Sequence, residues 1–533
     1  MIRDLDRLGA DHFDLLIVGG GIYGLAVAHD AALRGLRTAL VERHDFGAGA
    51  SFNHHRTLHG GLRYLQSADL RRMRESIRER RTFARIAPQF IAPQPFLMPT
   101  TTRLWRSAAA MRTAFALDAL VAFDRNRHVP ADLRLPAGRL LSTRELLARL
   151  PDARALEATG AALWYDYRTE DADRLTLAFG LAAARHGATL ANYVDAIEPL
   201  RAGNTVGGMR VRDALTGSAI DVRARVTVNA AGAGAGRVMA AFGTRRAFPL
   251  LKAMNLVTSR PGGQDAFAAP TASGRLLVAL PWHGRLTIGT SHGDHLSGPD
   301  DTRVSASERD RFVAEIDTAF PWLRLTPDDV ALVHRGIVPA TAAPGRPPEL
   351  LDRAEVRDHA RDGVQGAISV VGVKYTTARG IAERTVDLVS RKLGNAGTAS
   401  RSATTPLVES AGAAGHSVDV PDAERLHKRF GTRAADLMAT VRDDPALGER
   451  LSPDAATIGA EIGEAVEHEM ALTLEDVVVR RTGLGAAGHP GTPVVERCAR
   501  IMQRRLGWNE ERVRDEIEGV DRFYAIGEAA AVE

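Results

Sequence analysis

The sequence predicts an α/β protein in three parts: a nucleotide-binding core, a largely antiparallel sheet inserted into it, and an all-α C-terminal region. Three observations point there. A strand, a glycine-rich turn, a helix and a second strand follow one another within the first 42 residues. Between about 248 and 338, short apolar strands alternate with turns. Beyond a stretch rich in Ala, Gly, Ser and Thr near 395–418, the pattern is helical almost to the end.

At 533 residues the chain is too long for one core, which implies two or three domains. Its 45% hydrophobic and 25% charged residues exclude disorder for the bulk of it. The single Cys498 excludes an intramolecular disulfide and any CxxC pair, and fits a reducing compartment. No stretch reaches the roughly 18–20 uninterrupted apolar residues of a membrane-spanning helix. The first six residues carry Asp4 and Asp6 where a signal peptide would be basic and then apolar, so a cytoplasmic location is the default.

The net charge of +4 is small, but the arginines cluster. Arg71, Arg72, Arg74, Arg78, Arg80 and Arg81 crowd one helix, and Arg103, Arg106 and Arg112 punctuate an apolar segment. Glu75 and Glu79 are interleaved at helical spacing, so the plainer reading is a solvated helix face. The sharper reading is contact with anionic lipid headgroups. Nucleic acid ranks third, since no recognised motif accompanies the charge.

In chain order, residues 13–18 read as a buried strand ending in Gly19-Gly20-Gly21. Residues 22–34 read as a helix closed by Gly35, and 38–42 as a second strand. Residues 69–87 form a long charged helix stopped by Pro88, after which Pro93, Pro95 and Pro99 break the chain into extended pieces. A helix over 175–186 precedes a strand over 189–194, and a strand over 222–231 runs into Gly232. A late strand over 366–371 delivers Lys374 and Thr376 to the start of another helix.

Gly19, Gly21 and Gly24 make a G-x-G-x-x-G between strand and helix. The first glycine permits the turn, the second lets a pyrophosphate approach the backbone, and the third lets helix and strand pack closely. The phosphates would sit on the N-terminus of the helix that opens at Ile22. Glu42 ends the second strand 18 residues after Gly24, close to the spacing for an acid gripping a ribose hydroxyl. That acid favours FAD or NAD over NADP; these residues alone do not separate the first two.

Further stretches carry a resemblance. They are 45–51 (DFGAGAS), 59–65 (HGGLRYL), 289–291 (GTS) and 374–377 (KYTT), with 467–471 (EHEMA), 474–477 (LEDV) and 480–482 (RRT) near the C-terminus. Together they resemble the FAD-dependent glycerol-3-phosphate dehydrogenases, within the D-amino-acid-oxidase-like flavoproteins, over nearly the whole chain. The resemblance implies a Rossmann-like, glutathione-reductase-type FAD domain built from segments near 1–87, 150–247 and 339–394. It implies a substrate domain from segments near 88–149 and 248–338, a linker at 395–418 and a helical domain over 419–533. The implied reaction oxidises sn-glycerol 3-phosphate to dihydroxyacetone phosphate by hydride transfer to flavin N5, with quinone or another acceptor taking the electrons. Peripheral attachment at the inner face of the membrane is implied too, and a homodimer is compatible with it.

Carried over by resemblance, Gly19, Gly21, Ile22, Gly24 and Glu42 hold the ADP half of FAD. Ala48, Gly49 and Ser51 lie along the pyrophosphate and flavin side. Val194 meets the adenine through its backbone, Gly232 approaches the cofactor, and Thr376 and Thr377 open a helix facing the flavin C2 carbonyl, where a positive dipole stabilises reduced flavin. Arg63, Tyr64, Arg353 and Lys374 are the candidate phosphate contacts. His59, His292 and His283 are candidates for the base that takes the hydroxyl proton, with no choice among them. His54 and His55 fall where related flavoproteins carry a flavin-linked histidine, a link this family usually lacks.

Four departures gather around the substrate pocket. Val338 stands where the family has the arginine of a Gly-x-Arg-Pro stretch, and Asn255 where it often has a histidine after the lysine here numbered 252. Ser291-His292 replaces Thr-Asp, and Val373 replaces a glycine. They keep two other readings open: oxidation of an unphosphorylated hydroxy or amino acid, and a non-catalytic flavin-binding protein.

Overall fold

In the computed structural model the apolar run near the N-terminus is the His12–Val18 strand, and it lies inside an eight-stranded sheet. Residues 1–65, 67–244, 248–293, 295–395, 398–409 and 422–527 are described. The sheet runs Glu355–Asp358, Ala367–Val371, Ala219–Asn229, His12–Val18, Thr38–Val41, Thr189–Ala191, and its last five strands are parallel. A hairpin, Val194–Ala202 with Thr205–Asp213, extends antiparallel from Ala219–Asn229. The helices Ile22–Leu33, Ala172–Arg185 and Ala378–Leu393 share one apolar core on a face of this sheet, through residues such as Leu25, Phe179 and Ile381. The carboxyl ends of the parallel strands therefore converge on Gly19, Glu42, Gly232 and Lys374, where open α/β sheets bind ligands.

The second sheet has ten strands. Glu349–Leu350, Val330–Thr341, Leu250–Pro261, Arg285–His292, Leu276–Trp282 and Ala266–Pro270 are followed by Ile91–Thr100, Gly160–Thr169 and Thr57–Leu58, and Arg139–Leu141 pairs beside Gly160–Thr169 as the tenth. All its pairings are antiparallel except that of Ala266–Pro270 with Ile91–Thr100. Two expectations need correction here. The prolines do not break 91–100 into pieces: Ile91–Thr100 is one strand paired along its length with Gly160–Thr169. Pro93, Pro95 and Pro99 share one parity, so their missing N–H groups all face the other edge, where pairing is confined to Phe96 and Leu97. That same pairing draws Gly160–Thr169 into the second sheet, although the sequence places 150–247 with the nucleotide-binding segments.

The stretch at 395–418 is only partly described, since 396–397 and 410–421 lie outside the described residues. What is described is packed, not a free tether. Ser402 and Leu407 are fully buried, Ser400 bonds Asp30, and Ser402 receives a bond from Arg379 at 3.1 Å. The small polar residues that read as a linker here satisfy buried charges. The C-terminal region is helical as expected, through Ala423–Phe430, Ala434–Asp443, Gly459–His468, Thr492–Leu506 and Glu510–Tyr524. A two-stranded hairpin, Arg450–Ser452 with Ala455–Ile458, interrupts it.

This region is fastened to the nucleotide-binding part by buried charge. Asp45, just past the second strand, accepts from Arg480 Nε at 2.7 Å and from both terminal nitrogens of Arg481 at 2.6 and 2.7 Å. All three residues are buried. Burial pushes Asp45 up, and the two guanidiniums outweigh it and hold the carboxyl below its usual range. Breaking a buried pair strands a charge, at a cost of about 3–5 kcal/mol. Arg481→Ala should destabilise the protein by about that amount in chemical denaturation; an unchanged midpoint would show the network to be dispensable.

Candidate active site

The glycine corner is shaped by close approaches. Gly19 has φ +112°, and a Cβ there would stand 2.5 Å from the Ala230 carbonyl oxygen. A Cβ on Gly24 would collide with the Gly19 carbonyl, so only glycine lets this helix abut the turn. Gly21 is the N-cap of Ile22–Leu33 and offers no capping side chain. The Ile22 N–H instead donates to Ser51 Oγ at 2.9 Å, which brings the 45–52 loop onto the helix tip. That loop is also tied to the turn by the Gly47 N–H donating to the Gly20 carbonyl at 3.0 Å. Ala48 and Gly49 follow on the same loop, with open space where a Gly49 Cβ would be. Glu42 accepts from the Gly20 N–H at 2.6 Å and the His44 N–H at 2.8 Å, and its carbonyl accepts from the Val194 N–H at 2.7 Å. Val194 thus lies beside Glu42 at the end of the second strand. Gly232, at φ +55°, starts a turn at the end of Ala219–Asn229 with nothing near its Cβ position. An acid, a glycine-lined backbone and an uncapped helix tip suit a dinucleotide with two phosphates.

A second helix tip without a capping side chain is joined to the first helix by the Tyr23 hydroxyl donating to the Lys374 carbonyl. Thr377 is the N-cap of Ala378–Leu393 and makes no side-chain cap. Thr376 Oγ1 accepts from the His59 N–H at 3.1 Å, joining this tip to the 59–65 stretch. The His59 ring, half exposed, has Nδ1 3.4 Å from Asp166, whose other oxygen accepts from the Gly60 N–H at 2.7 Å. Arg80 pairs with the same carboxylate. Burial raises Asp166, but Arg80, His59 and the Gly60 N–H hold it below the usual range, so it stays an anion facing His59. Asp166 sits mid-strand, with no local pattern to mark it in the sequence.

Tyr64 is buried, and three cations lie over its ring: Lys374 Nζ at 4.7 Å, Arg72 at 5.0 Å and Arg63 at 5.3 Å. Lys374 donates to the Asp352 carbonyl at 2.8 Å, and its own carbonyl accepts from the Tyr23 hydroxyl at 3.0 Å. Arg72 engages the Asp352 carboxylate with both terminal nitrogens. Arg353 lies at the rim, exposed, and donates to Asp69 at 2.7 Å. Arg63, Tyr64 and Lys374 are therefore brought together, with Arg353 beside them through its neighbour. Arg72 and Asp352 were not singled out in the sequence; Arg72 looks there like one more member of a charged helix.

Most of the helix arginines are occupied within the chain. Arg74 and Arg81 pair with Asp124, Arg80 with Asp166 and Arg72 with Asp352. That internal pairing weighs against the lipid reading of the helix, while Arg71 and Arg78 stay exposed.

Among the departures from the family pattern, Asn255 has a structural role. Asn255 donates to the Asn53 carbonyl at 2.8 Å and accepts from the Thr290 hydroxyl at 2.8 Å, and a Cβ on Gly289 would strike it. Lys252 turns to the Arg303 carbonyl at 2.6 Å and Glu308 at 3.0 Å. Val338 is buried within Val330–Thr341. His292 ends Arg285–His292 opposite Ala253, on the second sheet. His283 lies on the turn before that strand and donates to the Glu170 carbonyl at 3.0 Å. The His54 ring stacks 4.1 Å from Tyr375 and donates to the Ser51 carbonyl at 2.8 Å. Burial, then Arg56, pushes it down to about 3, and burial, then His59, pushes His55 down to about 4, so both rings are neutral.

A family model described as FAD dependent oxidoreductase matches residues 14–388, and one described as C-terminal domain of alpha-glycerophosphate oxidase matches 394–513. A glycerol-3-phosphate dehydrogenase of Synechocystis is 29% identical over 97% of both chains. A probable mitochondrial glycerol-3-phosphate dehydrogenase of Caenorhabditis elegans is 31% identical over 96% of this chain and 73% of its own length. The crystal structure of a glycerol-3-phosphate dehydrogenase from Bacillus halodurans complexed with FAD superposes with a TM-score of 0.76 at 25% identity, covering 99% of this chain and 98% of that one. The glycine corner, the two helix tips and these matches agree: the chain is an FAD-dependent oxidoreductase and belongs to the glycerol-3-phosphate dehydrogenase family.

Proposed function

We propose that the protein oxidises sn-glycerol 3-phosphate to dihydroxyacetone phosphate and passes the electrons to a membrane quinone. The observation that carries the substrate is the grouping of Arg63 and Lys374 on the Tyr64 ring, one short turn from Thr376. Two cations over an aromatic floor suit a phosphate, which accepts charge-assisted hydrogen bonds from each. Bound FAD supplies the hydride acceptor at flavin N5. Gly19, Gly21, Ile22 and Gly24 support its phosphates, Glu42 and Val194 the adenosine end, Ala48, Gly49 and Ser51 the side towards the flavin, and Thr376 and Thr377 the dipole at the ring.

His59 is the base in this reading. Its Nδ1–H points to Asp166, which fixes the tautomer and leaves Nε2 free to take the hydroxyl proton. Asp166, held anionic by Arg80, then stabilises the imidazolium that forms. His283 is committed to a carbonyl, and His292 ends a strand of the second sheet opposite Ala253.

For the membrane, the support has moved from the arginine-rich helix to Ala108–Val121 and its flanks. Leu104, Leu120 and Phe123 are 73%, 73% and 78% exposed, with Arg103 and Arg112 exposed among them. Apolar side chains ringed by arginine suit the surface of an anionic bilayer. No described helix is long and apolar enough to cross one.

Anaerobic addition of sn-glycerol 3-phosphate should bleach the bound flavin. Bleaching only by an unphosphorylated hydroxy or amino acid, which the uncharged Val338 favours, would replace this reading. His59→Asn should retain FAD and lower kcat by about 10²–10⁴-fold; an undiminished kcat would remove His59 as the base. Sedimentation with vesicles containing phosphatidylserine should fall when Leu120 and Phe123 are both changed to serine and when salt is raised, and sedimentation insensitive to both changes would place the contact elsewhere.

A further inference from the structure

Four cations and two carboxylates surround Tyr64: Arg63, Arg72, Arg353 and Lys374 against Asp69 and Asp352. The two acids are held differently. Asp69 caps Leu70–Ile86 by accepting from the Arg72 N–H at 3.1 Å, and it also pairs with Arg353. It is part of the frame. Asp352 has a side chain 67% exposed, yet its carboxylate takes the whole fork of an Arg72 that is itself only 11% exposed. Its oxygens span the two terminal nitrogens of Arg72 and approach Lys374 Nζ to 3.5 Å. The arginine and the lysine lie against the ring, and the carboxylate is the solvent-exposed partner.

The location bears on the substrate. The Leu351 N–H donates to the Pro339 carbonyl at 2.9 Å, so Asp352 leaves the edge of Val330–Thr341 beside Val338. That strand presents a buried apolar side chain there and no charge. Positive charge comes instead from Arg72, which projects from the first turn of its helix.

We infer that Arg72 is a phosphate-binding residue of this protein, and that the Asp352 carboxylate is an internal anion which the substrate phosphate displaces from Arg72 and Lys374. The inference rests on the phosphorylated substrate proposed above and adds a residue and a competitor to it. A phosphate presents two oxygens to a guanidinium fork as a carboxylate does, but it brings up to two negative charges. With Asp352 swung out, Arg63, Arg72 and Lys374 all face the phosphate over Tyr64. The internal anion then sets a threshold: singly charged or weakly held ligands compete poorly with it, which selects for phosphates over carboxylates.

FAD-loaded protein titrated with inorganic phosphate in a calorimeter tests this without turnover. Arg72→Gln should weaken phosphate binding roughly tenfold or more, with Arg72→Lys recovering part of it. Asp352→Asn, on an exposed loop where folding is not at stake, should tighten it several-fold. With sn-glycerol 3-phosphate the same changes should appear in KM, upward for Arg72→Gln and downward for Asp352→Asn. Phosphate affinity unmoved by both substitutions would overturn the inference. A wild-type flavin that sn-glycerol 3-phosphate does not bleach would instead overturn the proposed substrate, because the phosphate titration reads the cradle independently.

Discussion

Residues 45–53 are held from three directions, and the candidate flavin site depends on that. From the first sheet, Gly20 and Ile22 bond Gly47 and Ser51. From the second sheet, Asn255 and the Arg335 N–H bond Asn53, the latter at 2.8 Å, and Gly336 lies so close that its Cβ would stand 2.9 Å from Ala50 Cα. From the C-terminal helices, Arg480 and Arg481 grip Asp45. A loop of small residues has no core of its own, so its shape is imposed by what surrounds it. The cofactor loop is thus a joint of the whole molecule, and each of its three supports comes from a different part of the chain.

Buried charge is the recurring means of assembly. Glu79 and Arg379 pair fully buried at 2.6 Å, and Arg174 meets Glu469 across the C-terminal contact. Arg56 is enclosed by Phe52, Trp282 and His334, with Asp173 3.6 Å away. Burial pushes the Asp173 carboxyl up to about 6 despite Arg56. Such groups add little net stability but penalise any arrangement that separates them. They therefore specify how the sheets and the helical region meet, more than they strengthen the fold.

The parts legible in sequence were those written locally. The glycine spacing, the apolar runs either side of it, the Pro88 stop after the Leu70–Ile86 helix and the acid at 42 each follow from a neighbour or two along the chain. The 59–65 and 374–377 stretches could be located only by resemblance, yet both reach the same site. What escaped notice is long-range. Asp166 reads as an ordinary strand residue, and it meets His59 only because Thr57–Leu58 pairs with Gly160–Thr169. Arg72 and Asp352 are separated by 280 positions. The serines of the 398–409 stretch looked like tether because composition reports flexibility in isolation, not the buried arginine and aspartate they serve. The charged helix is mixed: Arg71 and Arg78 stay exposed, as the interleaved acids suggest, while Arg72, Arg80 and Arg81 turn to partners within the chain.

The account stands on the corner formed by Gly19, Gly24, Glu42 and Ser51 holding a flavin dinucleotide. Titrating the purified apoprotein with FAD, followed by the visible spectrum and by quenching of flavin fluorescence, reads this directly. The prediction is saturation at one equivalent with the resolved absorption band of a protein-bound flavin. A titration that leaves the flavin spectrum and its fluorescence as they are in buffer would contradict it.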